Sequence, residues 1–180
     1  MKYNEYLISN WEDRAQTKDE EEITNYVVNH CNLTKDTQML HIGIGCNELW
    51  HTITKKYFYS VEYTGITYCI LEYEKVLPLH SSNYIPILMN KYNPILSNIL
   101  KKYDLICDNN IVSYADSDIE GLEYFKVLLN SLKDGGKILT HQLGLNYRRT
   151  ANINKMLEKL NLDKNFSVSS SDSVVIIEKI

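Results

Sequence analysis

Glycine is scarce in this chain, seven residues in 180, and no stretch rich in Gly, Pro or Ser interrupts it. That excludes a collagen-like chain and a flexible linker, and 180 residues are expected to fold largely as one unit. No run of about 18 apolar residues occurs, and the opening Met1-Lys2-Tyr3-Asn4-Glu5-Tyr6 lacks the apolar stretch of a secretory leader. The expectation is therefore no membrane association and a cytoplasmic location. Paired cysteines are missing too: Cys31, Cys46, Cys69 and Cys107 lie far apart without a Cys-x-x-Cys pair. Neither a disulfide framework nor a zinc site fits that spacing, so reduced thiols and no metal are expected. A basic excess is also lacking. Nineteen Lys and Arg against 23 Asp and Glu give a formal charge of −4. Without a basic stripe, tight non-specific nucleic-acid binding is not expected.

The acidic excess lies in the first 22 residues, where Asp19-Glu20-Glu21-Glu22 ends the run; a solvated helix face is the expected use of such a run. From Asn4 to Cys31 the spacing of Tyr6, Leu7, Trp11, Ile23, Tyr26 and Val27 predicts one or two helices. Residues 1–35 then form a helical cap before a domain of residues 36–180. Within that domain, short apolar runs at Thr37–Ile42, Ser60–Ile66, Tyr84–Met89, Tyr103–Cys107 and Lys137–Thr140 predict strands. Helices are predicted between them at Glu48–Tyr57, Cys69–Leu79, Ile95–Lys102 and Ile119–Leu132, with another at Ala151–Leu160. A hairpin of Phe166–Ser170 and Val174–Lys179 closes the chain. Alternating strands and helices predict a doubly wound α/β fold with a mostly parallel sheet, any ligand lying beyond the carboxyl ends of the strands.

At Met39-Leu40-His41-Ile42-Gly43-Ile44-Gly45-Cys46-Asn47-Glu48 a strand runs into a Gly-x-Gly turn and a helix begins. Two residues without a β-carbon let the backbone bend and let a ligand lie against it. A dinucleotide fingerprint would need a third glycine at Glu48, and a carboxylate there would repel pyrophosphate. His41 sits inside the apolar strand and reads as a core histidine.

This turn, Tyr63-Thr64-Gly65-Ile66-Thr67, Tyr103-Asp104-Leu105-Ile106-Cys107-Asp108-Asn109-Asn110 and Leu132-Lys133-Asp134-Gly135-Gly136-Lys137-Ile138-Leu139 occur in an order that resembles the class I S-adenosylmethionine-dependent methyltransferases, over roughly residues 20–180. The resemblance implies a seven-stranded sheet with the last strand inserted antiparallel, and S-adenosylmethionine lying over the strand ends. It further implies that Gly43, Ile44, Gly45 and Cys46 line the methionine and ribose part of that cofactor. The family's ribose-binding acid falls on Thr67, with Glu62 or Glu72 as substitutes in another register, and the acid near adenine falls on Asn90. His41 stands for the family's common acid in the first motif, and Asn47 for a frequent third glycine.

Asp108 and Asn109 follow the fourth strand, where the family faces the methyl donor. Asp108 or His141 could accept a proton from the acceptor; Asp108 could equally hold the cofactor's amino group or cap the next helix, and His141 could be packing. Asn110, Tyr147 and Arg148 are candidates for the substrate wall, with a solvated helix start as the alternative for Arg148. Trp11 could close over the cleft or anchor the core. The activity implied is methyl transfer to the O or N nucleophile of a small polar molecule. The substrate would be enclosed by the N-terminal helices or by the second subunit of a homodimer. The alternatives are a binding module of the same fold without transfer activity, and an enzyme doing other chemistry on S-adenosylmethionine.

Overall fold

The computed structural model describes residues 15–57, 61–146, 155–158 and 163–180. The predicted helix residues 4–14, Trp11 among them, most of the helix predicted at 151–160, and Tyr147 and Arg148 lie outside these described residues. In chain order the elements are α1 (Lys18–His30), β1 (Gln38–Ile42), α2 (Glu48–Tyr57), β2 (Glu62–Thr67), α3 (Ile70–Val76), β3 (Tyr84–Leu88), α4 (Leu96–Ile99), β4 (Tyr103–Asp108), α5 (Asp118–Asn130), β5 (Leu132–His141), α6 (Gln142–Asn146), β6 (Phe166–Ser171) and β7 (Val174–Lys179).

The seven strands form one sheet in the order β3-β2-β1-β4-β5-β7-β6. The pairs β1–β2, β1–β4, β2–β3 and β4–β5 are parallel. β7 enters antiparallel between β5 and β6. β6 therefore runs with β5, and β7 alone is reversed. Parallel strands need crossovers, which cover both faces, and side chains alternate between the faces. β1 shows the result: Met39 joins a core under α1 and α2 with Val27, Leu49, Trp50 and Ile53. Its neighbours Leu40 and Ile42 join the opposite core with Tyr124, Phe125 and Leu128 of α5. Apolar area buried on both faces at about 25 cal/mol per Å² is the main stabilising term. α1 is continuous with the first of these cores through Ile23 and Val27.

α6 has no counterpart among the predicted helices, and two predicted elements differ markedly in extent. α4 spans four residues rather than Ile95–Lys102, since Leu96 alone of the four is buried and the chain turns extended at Leu100. So short a helix cannot repay its nucleation cost by continuing into the polar Lys101-Lys102. β5 begins at Leu132, ahead of the glycine pair rather than after it. Its register with β4 jumps from Tyr103–Leu132 to Leu105–Lys137, so Asp134-Gly135-Gly136 lies in a bulge within the strand.

His41 is a core histidine. It is buried, and its Nδ1 lies 2.6 Å from the Tyr63 hydroxyl. Burial lowers its pKa to about 4. The folded pKa is depressed below that of the unfolded chain, so stability is full above about pH 6.5 and declines as pH falls toward 4. Urea unfolding at pH 7 and pH 5 is expected to show a loss of about 2 kcal/mol. His41→Gln, which keeps a partner for Tyr63, should remove most of that loss, and an unchanged pH dependence in the variant would count against the assignment.

Among the described residues no helix is long and apolar enough to cross a membrane.

Candidate functional site

The strand order reverses between β1 and β4: the chain leaves β1 toward β2 and β3 on one side, and β4 toward β5 on the other. Crossovers on opposite faces part there, leaving a crevice beyond the strand ends. Ile42 pairs with Asp108 across that gap. A cleft open to solvent lies above them, and both residues line it.

One wall is the Gly-x-Gly turn. The Gly43 amide donates to Ile66 O at 2.7 Å, stitching the turn to β2. Gly43 has φ +72° and lines the cleft, and a β-carbon there would meet no atom within 4 Å. Gly45 lines the cleft as well. Ile44 and Cys46, expected beside them, are not part of its lining. Ile44 is buried in the core under α1 and α2, and Cys46 faces a smaller hollow with Gln16 and Glu20. Alternation along the turn sends their side chains away from the ligand face. Asn47 points inward, its Oδ1 accepting the Tyr84 hydroxyl at 3.1 Å beside the stacked Trp50 and Tyr84 rings.

At the end of β2, the Thr67 hydroxyl donates to Glu72 Oε2 at 2.5 Å and accepts from the Cys69 amide at 3.0 Å. Both Thr67 and Glu72 line the cleft and are buried. A carboxylate thus stands at this position after all, supplied from the first turn of α3 rather than from the strand. Glu62 is excluded from that role: it lies at the opposite end of β2, bonded to Gln38 and Lys101. Asn90 is not among the cleft-lining residues, because its Oδ1 turns back to accept the Tyr92 amide at 3.0 Å. Its neighbour Lys91 takes the position on the cleft.

Asp108 is the most heavily bonded group of the site. Its carboxylate accepts the Lys91 ammonium at 3.0 and 3.2 Å, the Tyr124 hydroxyl at 2.5 Å and the Asn110 amide at 3.1 Å. Burial lowers the Lys91 pKa, opposed by the Asp108 charge, and raises that of the Tyr124 phenol well above its usual range. A carboxylate with both oxygens so engaged is held to position the loop after β4.

α1 lies along the same strand ends. Its acidic residues depart from the solvated face expected of them: Asp19 accepts the Asn109 side-chain amide, Glu22 Oε2 lies 2.8 Å from His141 Nε2, and Glu20 lines the cleft. Burial acts to raise the Asp19 pKa, but the Thr17 and Asn109 hydrogen bonds outweigh it and the net shift is downward. The His141 bond lowers that of Glu22. His141 is buried with both ring nitrogens engaged, Nδ1 accepting the Leu143 amide at 3.1 Å, and it does not line the cleft. The structure therefore brings together Gly43, Gly45, Thr67, Asp108, Asn109 and Asn110, and leaves Ile44, Cys46, Asn90 and His141 outside. Sequence reasoning missed Lys91 and Glu20. A lysine three residues beyond a parallel strand was the available signal for the first.

Asn109 Oδ1 is a buried acceptor with no hydrogen-bond partner among the described residues. Asn109 itself lines the cleft, and a buried acceptor left without a partner costs free energy that a donor reaching it would recover. It suits a ligand carrying an ammonium, as Glu72 suits one carrying hydroxyls, and the open Gly43 face gives room for both. The residues present therefore fit S-adenosylmethionine.

No family model matches the sequence, and no curated protein is detectably similar to it. Solved structures are similar in fold. A putative caffeoyl-CoA O-methyltransferase from Staphylococcus aureus superposes with a TM-score of 0.61 at 15% identity, over 93% of this chain and 85% of that one. The N-methyltransferase NodS from Bradyrhizobium japonicum, in complex with S-adenosyl-L-homocysteine, gives 0.61 at 11% identity, over 91% and 87%. A fibrillarin/Nop5p complex gives 0.57 at 20% identity, over 87% and 78%. With this strand order, its reversed seventh strand and these likenesses, the chain has the class I S-adenosylmethionine-dependent methyltransferase fold.

Proposed function

We propose that the chain binds S-adenosylmethionine in this cleft and transfers its methyl group to the O or N nucleophile of a small polar acceptor. The observation that carries the reading is Glu72, a buried carboxylate beside Thr67 at the end of β2 and facing the cleft. A carboxylate there accepts hydrogen bonds from a ribose, and charge-assisted bonds of that kind are the strong ones. The solved methyltransferase folds similar to this chain, one of them carrying S-adenosyl-L-homocysteine, support the choice of cofactor.

The bound group supplies a methyl on a sulfonium, already activated toward attack. The chain's part is to align the nucleophile with it and to exclude water. With Asp108 engaged by Lys91 and Tyr124, and His141 by Glu22 and Leu143, no described group of the cleft is assigned as a base. The acceptors that suit such a site present a ready lone pair, as a neutral amine or a carboxylate does. The same engagement favours, as the second reading, a module that binds the cofactor without transferring from it.

Calorimetric titration with S-adenosylmethionine and S-adenosylhomocysteine, with NADH as control, tests the cofactor. Micromolar binding of either sulfur ligand is expected, weakened at least ten-fold in Glu72→Gln, or about 1.4 kcal/mol. No binding to folded protein would overturn the proposal. A screen of amines and carboxylates, reading methylated product, separates transfer from binding alone.

A further inference from the structure

Lys91 is the single cation among the described residues lining the cleft, against the carboxylates of Glu20, Glu72 and Asp108. Its ammonium finds three acceptors for its three protons: the two Asp108 oxygens, and Asn110 O at 2.5 Å. The Tyr124 and Tyr92 rings lie 5.1 and 5.5 Å from it. The side chains of the pair are 14% and 3% exposed, so both charges have left water. A buried pair seldom stabilises a fold more than apolar residues of the same volume would. Its location gives it a different consequence. Asp108 pairs with Ile42 in adjacent strands, and Gly43, the open face of the turn, follows directly. Both residues of the pair line the cleft, Asp108 at the end of β4 beside the Gly-x-Gly turn.

We infer that the Lys91–Asp108 pair sets how the cleft discriminates the positively charged methyl donor from the neutral thioether that remains after transfer. The inference rests on the reading of this cleft as an S-adenosylmethionine site. Donor and product differ by one methyl group and one charge. Transfer moves that charge off the sulfur, so an uncompensated Asp108 carboxylate would hold the donor's ground state and oppose the step. The Lys91 ammonium cancels that charge in place, leaving Glu20 and Glu72 as the net attraction for the donor. Lys91 is thus a specificity-determining residue, acting through the charge of Asp108.

The test is the ratio of S-adenosylmethionine to S-adenosylhomocysteine affinity, measured by calorimetry at pH 7.5. Lys91→Met leaves the Asp108 carboxylate uncompensated, and the ratio is expected to rise about ten-fold, equivalent to about 1.4 kcal/mol. The double variant Lys91→Met with Asp108→Asn removes both charges and is expected to return the ratio to within about threefold of the parent. Lys91→Gln reads the same quantity and serves if Lys91→Met does not fold. A purely structural pair would weaken both ligands alike, so an unchanged ratio in a folded single variant overturns the inference. Failure of the parent protein to bind either ligand would instead overturn the reading of the cleft.

Discussion

Gly43→Leu is expected to raise the dissociation constant for S-adenosylmethionine at least a hundred-fold while the protein remains folded. Two separate costs are involved. The residue sits at φ +72°, where an L side chain costs about 1–2 kcal/mol; a domain with the usual 5–15 kcal/mol survives that. Its β-carbon would meet no protein atom within 4 Å, so packing adds nothing to the penalty. The space it enters is the cleft itself, against the turn where the ligand backs onto the chain. Thermal unfolding should show a modest drop, and calorimetry the loss of binding. Gly65 makes the contrast. A β-carbon there would stand 2.9 Å from Ile44 Cγ2 and 3.1 Å from the Tyr84 hydroxyl, so that glycine serves packing beneath the turn. Retained affinity in Gly43→Leu would place the ligand elsewhere.

What was legible in the sequence followed periodicity and punctuation. Runs such as Met39-Leu40-His41-Ile42 alternate between two apolar cores, and α2 and α5 each bury an apolar face, so most of the element order and the closing hairpin could be read directly. The bulge in β5 could not, because Gly-Gly reads as a break whether it ends a helix or bends a strand. In the site, residues fixed by backbone geometry were found, among them Gly43, Gly45 and Asp108. Those fixed by long-range bonds were not. Asn90 is caught locally, by the Tyr92 amide two positions on, but the direction of His141 depends on Glu22 some 119 positions earlier, and the place of Glu20 on the cleft depends on how α1 docks. Such pairings are properties of the assembled fold, and no local spacing encodes them.

The strongest steric constraint around the site is at Gly144 of α6, and Gly144→Ala is expected to damage both fold and cleft. An ideal β-carbon there would stand 1.7 Å from the backbone oxygen of Asn109 and 2.7 Å from its carbonyl carbon. Neither is the far end of a flexible side chain, so the two segments must part by more than an ångström. The same contact is fastened by Ser113 Oγ donating to Gly144 O at 3.2 Å and by Thr140 Oγ1 donating to Asn109 O at 3.2 Å. Overpacking of this kind costs about 1–3 kcal/mol, and the broken bonds add to it. Displacing Asn109 also moves the unpartnered acceptor and the loop that Lys91 and Asp108 hold. The expected outcome is a drop in thermal midpoint of about 4 °C or more, together with at least a ten-fold loss of S-adenosylmethionine affinity. The pairing of the two effects is what distinguishes it from Gly43→Leu, in which binding fails and stability is largely kept. Wild-type affinity in Gly144→Ala would mean that the loop after β5 does not hold the loop after β4 against the cleft.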